Sequence, residues 1–259
     1  MLKFLFILLF RLVLFSKIQV VTYFPLESHL INKIAQKEVK IREITSRYLR
    51  DYQELPQSEI SRLSNGKIFF HFGLDIEKKY AELLLKENHK IIVVDISSNI
   101  QKIDNNPYIW TDPFNMRIVA KNIYDAFVKV DKYNEPYYKE NYEKFLDEID
   151  QTFLKVKQKI NSSEIEYMYV FDNFWDYFAK RFGIVTIQRE KRYLSIAEIP
   201  KMSEFSRDKN IKKLLFSQYD NKDFILSISS NLNLQTIDDD IFNQQWQLNL
   251  LNLAQNLTK

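Results

Sequence analysis

Cysteine is absent from the 259-residue sequence, which excludes disulfides, thiolate zinc sites, cysteine nucleophiles and a lipid-modified cysteine. Glycine is nearly absent as well. Its 3 copies, Gly66, Gly73 and Gly183, stand alone, against the roughly 7% usual in globular chains. Neither G-x-G-x-x-G nor G-x-x-x-x-G-K-[ST] exists, so the backbone cradle that nucleotide phosphates use is missing. An excess of one charge is lacking too: 37 basic and 34 acidic side chains leave a formal +3, too little for a nucleic-acid footprint. No nucleic-acid partner is expected, and the run Arg189-Glu190-Lys191-Arg192 reads as a solvated loop. Catalytic signatures are missing, with no serine elbow and no His-Glu-x-x-His. The 3 histidines, His29, His71 and His89, show no paired ligand spacing and are expected to be structural or solvated. The chain is not expected to be an enzyme, the alternative in that class being a small-molecule enzyme with a cleft between α/β lobes.

Long hydrophobic runs are limited to the N-terminus. Residues 1–16 have a basic start at Lys3 and an apolar run from Phe4 to Phe15 interrupted by Arg11. The run is shorter than a membrane span of about 20 residues and suits a secretory leader. Residues 1–16 are therefore expected to be a signal peptide, with Leu14 and Ser16 at the cleavage positions. The alternatives are an uncleaved membrane anchor and a buried helix.

What the chain does have is apolar mass, 46% hydrophobic and 15% aromatic, enough for one large core or two smaller ones. Strands are expected at 18–24, 39–45, 67–72 and 90–96, with helices at 25–35, 58–65 and 75–88 between them. Such alternation, with continuously apolar strands, predicts a parallel sheet covered on both faces. Two helices then follow in succession, 113–130 and 136–160. The second carries Phe145, Ile149, Phe153, Val156 and Ile160 near the 3.6-residue period and is long enough, at about 1.5 Å per residue, to run the length of a domain. Beyond it alternation resumes, with strands at 167–171, 184–188, 211–217 and 234–237 and helices at 174–181, 199–206, 223–232 and 242–257. The expected fold is α/β: two lobes, each a parallel sheet flanked by helices, joined by one long spine helix. The divisions are 17–132, 133–162 and 163–259.

The most informative local pattern is Asn106-Pro107-Tyr108-Ile109-Trp110-Thr111-Asp112-Pro113. It resembles Asp-Pro-His-x-Trp-x-Asp-Pro of the cluster A-I periplasmic solute-binding proteins of zinc and manganese ABC transporters, with Tyr108 in place of the metal-binding histidine. Three further stretches are similar to that family: Val21 to Leu26, Phe72-Gly73-Leu74-Asp75-Ile76-Glu77, and Asp172-Asn173-Phe174-Trp175-Asp176-Tyr177-Phe178 with Arg181 and Gly183. The resemblance implies a periplasmic protein, membrane-anchored in the alternative where the leader stays uncleaved. It implies a monomer that captures a divalent ion, zinc or manganese, between two lobes and delivers it to an inner-membrane permease, with no organic cofactor.

Carried over residue by residue, the family's ligands fall near Asp51, on Tyr108, on Asp172 and on Asp238. Each has a plainer role beside it: surface charge for Asp51, aromatic packing for Tyr108, a helix N-cap for Asp172 and a solvated acidic turn for Asp238. Carboxylates and a phenol in place of imidazoles shift the preference from zinc towards ions that accept oxygen, such as manganese. Converging carboxylates would need a cation or a proton among them. The alternative is a member that has lost its metal and acts as an interaction or sensor module.

Overall fold

The computed structural model describes residues 17–49 and 51–259; the leader expected at residues 1–16 lies outside them. The first sheet contains β1 (Ile18–Thr22), β2 (Val39–Glu43), β3 (Ile68–His71) and β4 (Ile92–Asp95). Its order is β2-β1-β3-β4 and every pairing is parallel. The second contains β5 (Tyr167–Val170), β6 (Val185–Gln188), β7 (Lys213–Phe216) and β8 (Gln235–Asp238), in the corresponding order β6-β5-β7-β8, again all parallel. The two lobes thus share one topology.

Helices return the chain between strands: α1 (Pro25–Ala35), α2 (Gln57–Ser64) and α3 (Asp75–Glu87) in the first lobe. In the second they are α6 (Asp176–Phe182), α7 (Ile199–Asp208), α8 (Lys222–Leu232) and α9 (Trp246–Leu257). Between the lobes run α4 (Pro113–Val130) and α5 (Glu135–Asn161). The buried stripe of α5, Tyr138, Asn141, Phe145, Ile149, Thr152, Val156 and Ile160, steps by three and four residues, the period of one helix face. That face packs on α4, α1 and α9. Because α1 and α9 come from different lobes, α5 is the spine that both share.

Strand ends shift from the sequence reading by a few residues, and two helix boundaries that differ from it matter for the cleft. The helix expected from Phe174 breaks into a 3₁₀ turn, Asn173–Trp175, followed by α6, which ends at Gly183 with φ +73, the left-handed stop that glycine permits. The helix expected from Phe242 begins only at Trp246. The preceding residues turn on their own side chains, Asp240 accepting from Phe242 N at 3.0 Å and Asn243 from Gln245 N at 2.8 Å, the local bonding that Asx residues offer in place of helix. Phe242 is thereby released from the helix to enter the cleft.

Candidate functional site

In parallel α/β sheets, ligands gather beyond the carboxyl ends of the strands. Here those ends face each other across the two lobes, and aromatic rings fill the space between. Phe24 follows β1, Tyr48 comes from the loop after β2, Phe72 follows β3, and Tyr108 and Trp110 come from the segment before α4. From the other lobe come Phe174, Tyr219 and Phe242. Tyr48 lies flat on Phe242 with centroids 3.7 Å apart and planes at 1°. Tyr108 meets Phe174, Trp110 and Phe242 edge-on, at 4.7, 5.6 and 5.9 Å, the arrangement ring quadrupoles favour. Tyr48 and Tyr108 share a hydrogen bond, and burial together with the neighbouring phenols pushes the Tyr48 hydroxyl well above its ordinary range. Tyr48 therefore stays neutral at physiological pH.

The Asn106-to-Pro113 motif ties the lobes together. Asn106 donates to Asn173 O at 2.6 Å and Asp176 Oδ2 at 3.1 Å, while its own carbonyl accepts from Tyr177 Oη at 2.7 Å. Trp110 Nε1 donates to Ile241 O at 2.8 Å, and Trp246 Nε1 donates to Trp110 O. Asp112 caps α4 through Phe114 N at 2.8 Å and receives Arg181 in a two-pronged pair, 2.7 Å on each prong. Replacing Arg181 with alanine would leave the Asp112 carboxylate buried with only its cap bond. The expected loss is about 2–3 kcal/mol, at the lower end for a broken buried pair because Arg181 is itself 30% exposed. Urea unfolding measures it, and Arg181→Lys is expected to recover only part, since an ammonium cannot reproduce the two-pronged geometry.

The sequence-predicted ligands are distributed as follows. Tyr108 lies in the aromatic layer. Asp51 and Asp238 are exposed. Asp172, just beyond central strand β5, makes no capping bond to the turn that follows it; Lys191 Nζ approaches its Oδ2 at 2.8 Å. Lys191 also stands 3.1 Å from Asp220 Oδ1. This corrects the reading of 189–192 as simply solvated, because Lys191 turns towards the carboxylates. Arg192 points elsewhere, to Glu190 and Glu198. Asp51, Asp172 and Asp238 do not gather: among the described residues, no three His, Asp or Glu side chains are placed to hold a metal ion. A cavity of 510 Å³ on the first lobe, between Tyr48, Leu74, Lys78, Lys102 and Tyr108, has Asp75 as its acid, and Asp75 is paired to Lys78 at 3.0 Å.

Sequence reasoning missed three residues here. Tyr48 occupies the cleft where Asp51 had been expected nearby; no spacing marks it, and Tyr52 in the same loop is an equal candidate by sequence. Asp220 carries no motif. Asp239 had a readable signal, since it lies two residues beyond buried Ile237 and so shares its face in an extended chain. Asp239 is buried, accepts from Trp175 Nε1 at 2.7 Å and Asn249 Nδ2 at 3.1 Å, and is pushed up to about 7 by that burial.

Beneath the first lobe's rim, Glu27 and Glu77 are both completely buried. Each caps the start of its own helix: Glu27 accepts from Phe24 N at 3.2 Å and Glu77 from Leu74 N at 2.8 Å. Their remaining oxygens lack other protein donors and bond to one another. Such a pair needs a shared proton. Burial raises both, Glu27 further because its like-charged neighbour adds to it, and Glu77 to about 7. His71 beside them is buried and accepts at Nδ1 from Gly73 N at 2.9 Å, consistent with burial lowering its proton affinity.

Comparison with known proteins agrees with this architecture. The family model for ZnuA, described as zinc-uptake complex component A periplasmic, matches residues 20–246. The chain belongs to this family, one of uptake-complex components rather than enzymes. A manganese ABC transporter substrate-binding lipoprotein, PsaA of Streptococcus anginosus, is 21% identical over 188 residues, 65% of this chain and 60% of that protein. The chain therefore aligns with about 60% of the length of such relatives. A putative metal-binding protein of Chlamydia trachomatis is 22% identical over 219 residues, 78% of this chain and 76% of that one. Among solved structures, a ZnuA crystal structure superposes with a TM-score of 0.82 at 19% identity, covering 94% of this chain and 98% of that one. A cadmium-bound periplasmic metal-binding protein from Candidatus Liberibacter asiaticus gives 0.79 at 16%, covering 93% and 100%. At these identities the structural likeness speaks for the two-lobe fold.

Proposed function

We propose that this ZnuA-family chain is the periplasmic solute-binding component of an ABC transporter for a divalent metal ion. It takes the ion into the interlobe cleft as cargo and passes it to an inner-membrane permease, acting as a monomer. The observation that carries this reading is the carboxylate of Asp172 at the end of central strand β5, already facing a cationic group at 2.8 Å. Asp172 is assigned the anchoring role, and Tyr108 supplies a phenolic oxygen from the opposite lobe. Asp51, from the loop after β2, and Asp238, the last residue of β8, are both exposed in this arrangement and complete the donor set proposed for the bound state. The donor set is oxygen-rich and lacks the imidazoles that favour zinc, so the cargo is an ion at ease with carboxylates, manganese before zinc.

The test is calorimetric titration of chelator-treated protein with Mn²⁺ and Zn²⁺. Saturable one-to-one binding is expected, with little of the zinc preference that a histidine site confers. Asp172→Ala is expected to weaken it by at least about tenfold, the equivalent of one lost interaction of roughly 1.4 kcal/mol. No saturable binding of either ion, or an unchanged affinity in Asp172→Ala, would overturn the assignment and favour a metal-free interaction module.

A further inference from the structure

We propose that Lys191 determines the specificity of this cleft: it is a tethered ammonium standing where the cargo ion would stand, and a divalent cation must displace it to bind. The inference rests on the metal-binding reading above and adds a residue and a competition to it. Its basis is the convergence of three neighbouring strands of the second sheet. In the order β6-β5-β7, β5 leads to Asp172, β6 to Lys191 and β7 to Asp220. Lys191 Nζ lies between the two carboxylates, 2.8 Å from one and 3.1 Å from the other.

The three groups differ in freedom. The Asp220 side chain is 2% exposed, and its Oδ2 is fixed by Ser217 N at 2.8 Å and Ser217 Oγ at 3.1 Å. Its Oδ1 has no hydrogen bond and faces the ammonium in an ionic contact, so a buried acceptor is aimed at this point. Lys191 is 39% exposed and sits on a flexible four-carbon stem, able to withdraw into water with its charge intact. Two carboxylates with one ammonium carry a residual negative charge, whereas the same two with a divalent ion are balanced. The exchange thus favours a divalent over a monovalent cation. It also weakens every ion by the cost of removing Lys191, and only an ion with strong affinity for carboxylate oxygen overcomes that cost.

Calorimetric titration with Mn²⁺ and thermal unfolding, in chelator and in excess Mn²⁺, on wild type, Lys191→Met and Lys191→Gln test this. Without metal the Met variant is expected to unfold at a lower temperature than wild type, since its two carboxylates are left facing each other. Mn²⁺ is expected to raise its midpoint more than that of wild type and to bind at least about tenfold tighter, the scale of one removed competing charge interaction. The Gln variant, which can still donate to Asp172, keeps the comparison available if the Met variant does not fold. Adding Asp220→Asn is expected to cancel the gain. A variant that binds Mn²⁺ while wild type does not would uphold the role of Lys191 and overturn metal capture by the native chain. Equal affinities for wild type and variants would overturn the role of Lys191 and leave metal capture standing. Binding by none would overturn both.

Discussion

Trp110→Ala is expected to lower the unfolding free energy by about 3–5 kcal/mol, the range for deleting a fully buried large aromatic. Trp110 has no exposed surface and touches rings of both lobes: Phe24 at 6.2 Å, Phe72 at 4.6 Å and Tyr108 at 5.6 Å from the first, Phe242 at 5.8 Å from the second. Its indole N–H is also the donor that holds Ile241 O at 2.8 Å. The substitution would leave a cavity at the junction and a buried carbonyl without its donor, a loss of the kind that ordinary collapse does not repair. Equilibrium urea unfolding of the purified protein is the measurement. A loss below about 1 kcal/mol, typical of half-exposed positions, would show that the aromatic layer does not hold the lobes together.

The second large effect concerns pH. Glu77 rises from 4.5 to about 7 and Asp239 from 3.8 to about 7, both through burial, and Glu27 is raised with its partner. Between the unfolded values and about 7, the native state keeps protons that the unfolded chain has released. Each upward step in that window therefore favours unfolding. The stabilisation is complete below about pH 4 and is lost as pH passes through 7, a change of order 3 kcal/mol from Glu77 alone. Thermal midpoints measured from pH 5 to pH 8 should fall as pH rises. Glu27→Gln replaces the shared proton with a permanent amide donor to Glu77 and should flatten the Glu77 part of that slope, leaving the part due to Asp239. An unchanged slope in this variant would remove the pair as its source.

The fold was legible because its signals are local and repeated. Apolar strands of four or five residues, Pro25 and Pro113 at helix starts, and the three-four spacing along α5 each follow from backbone geometry. The site was less legible because it depends on which way single residues face after a strand has ended. Asp238 and Asp239 are adjacent and chemically alike, and the pleat alone separates the exposed one from the buried one. Tyr108 was located by its motif, but its partners Tyr48 and Phe242 lie some 60 and 134 residues away in the chain; no spacing rule spans such separations. Lys191 lay in a run of charges whose ordinary meaning is solvation, and only the neighbouring strands β5 and β7 give it two carboxylates to face.

The most direct test is a crystal structure of the full chain soaked with Mn²⁺, with anomalous scattering collected at the manganese edge. The expected result is one manganese peak beyond the carboxyl ends of β5 and β7, in contact with the Asp172 carboxylate and with Lys191 Nζ moved away into solvent. A cleft without a manganese peak, and with Lys191 still between Asp172 and Asp220, would contradict metal capture at this site.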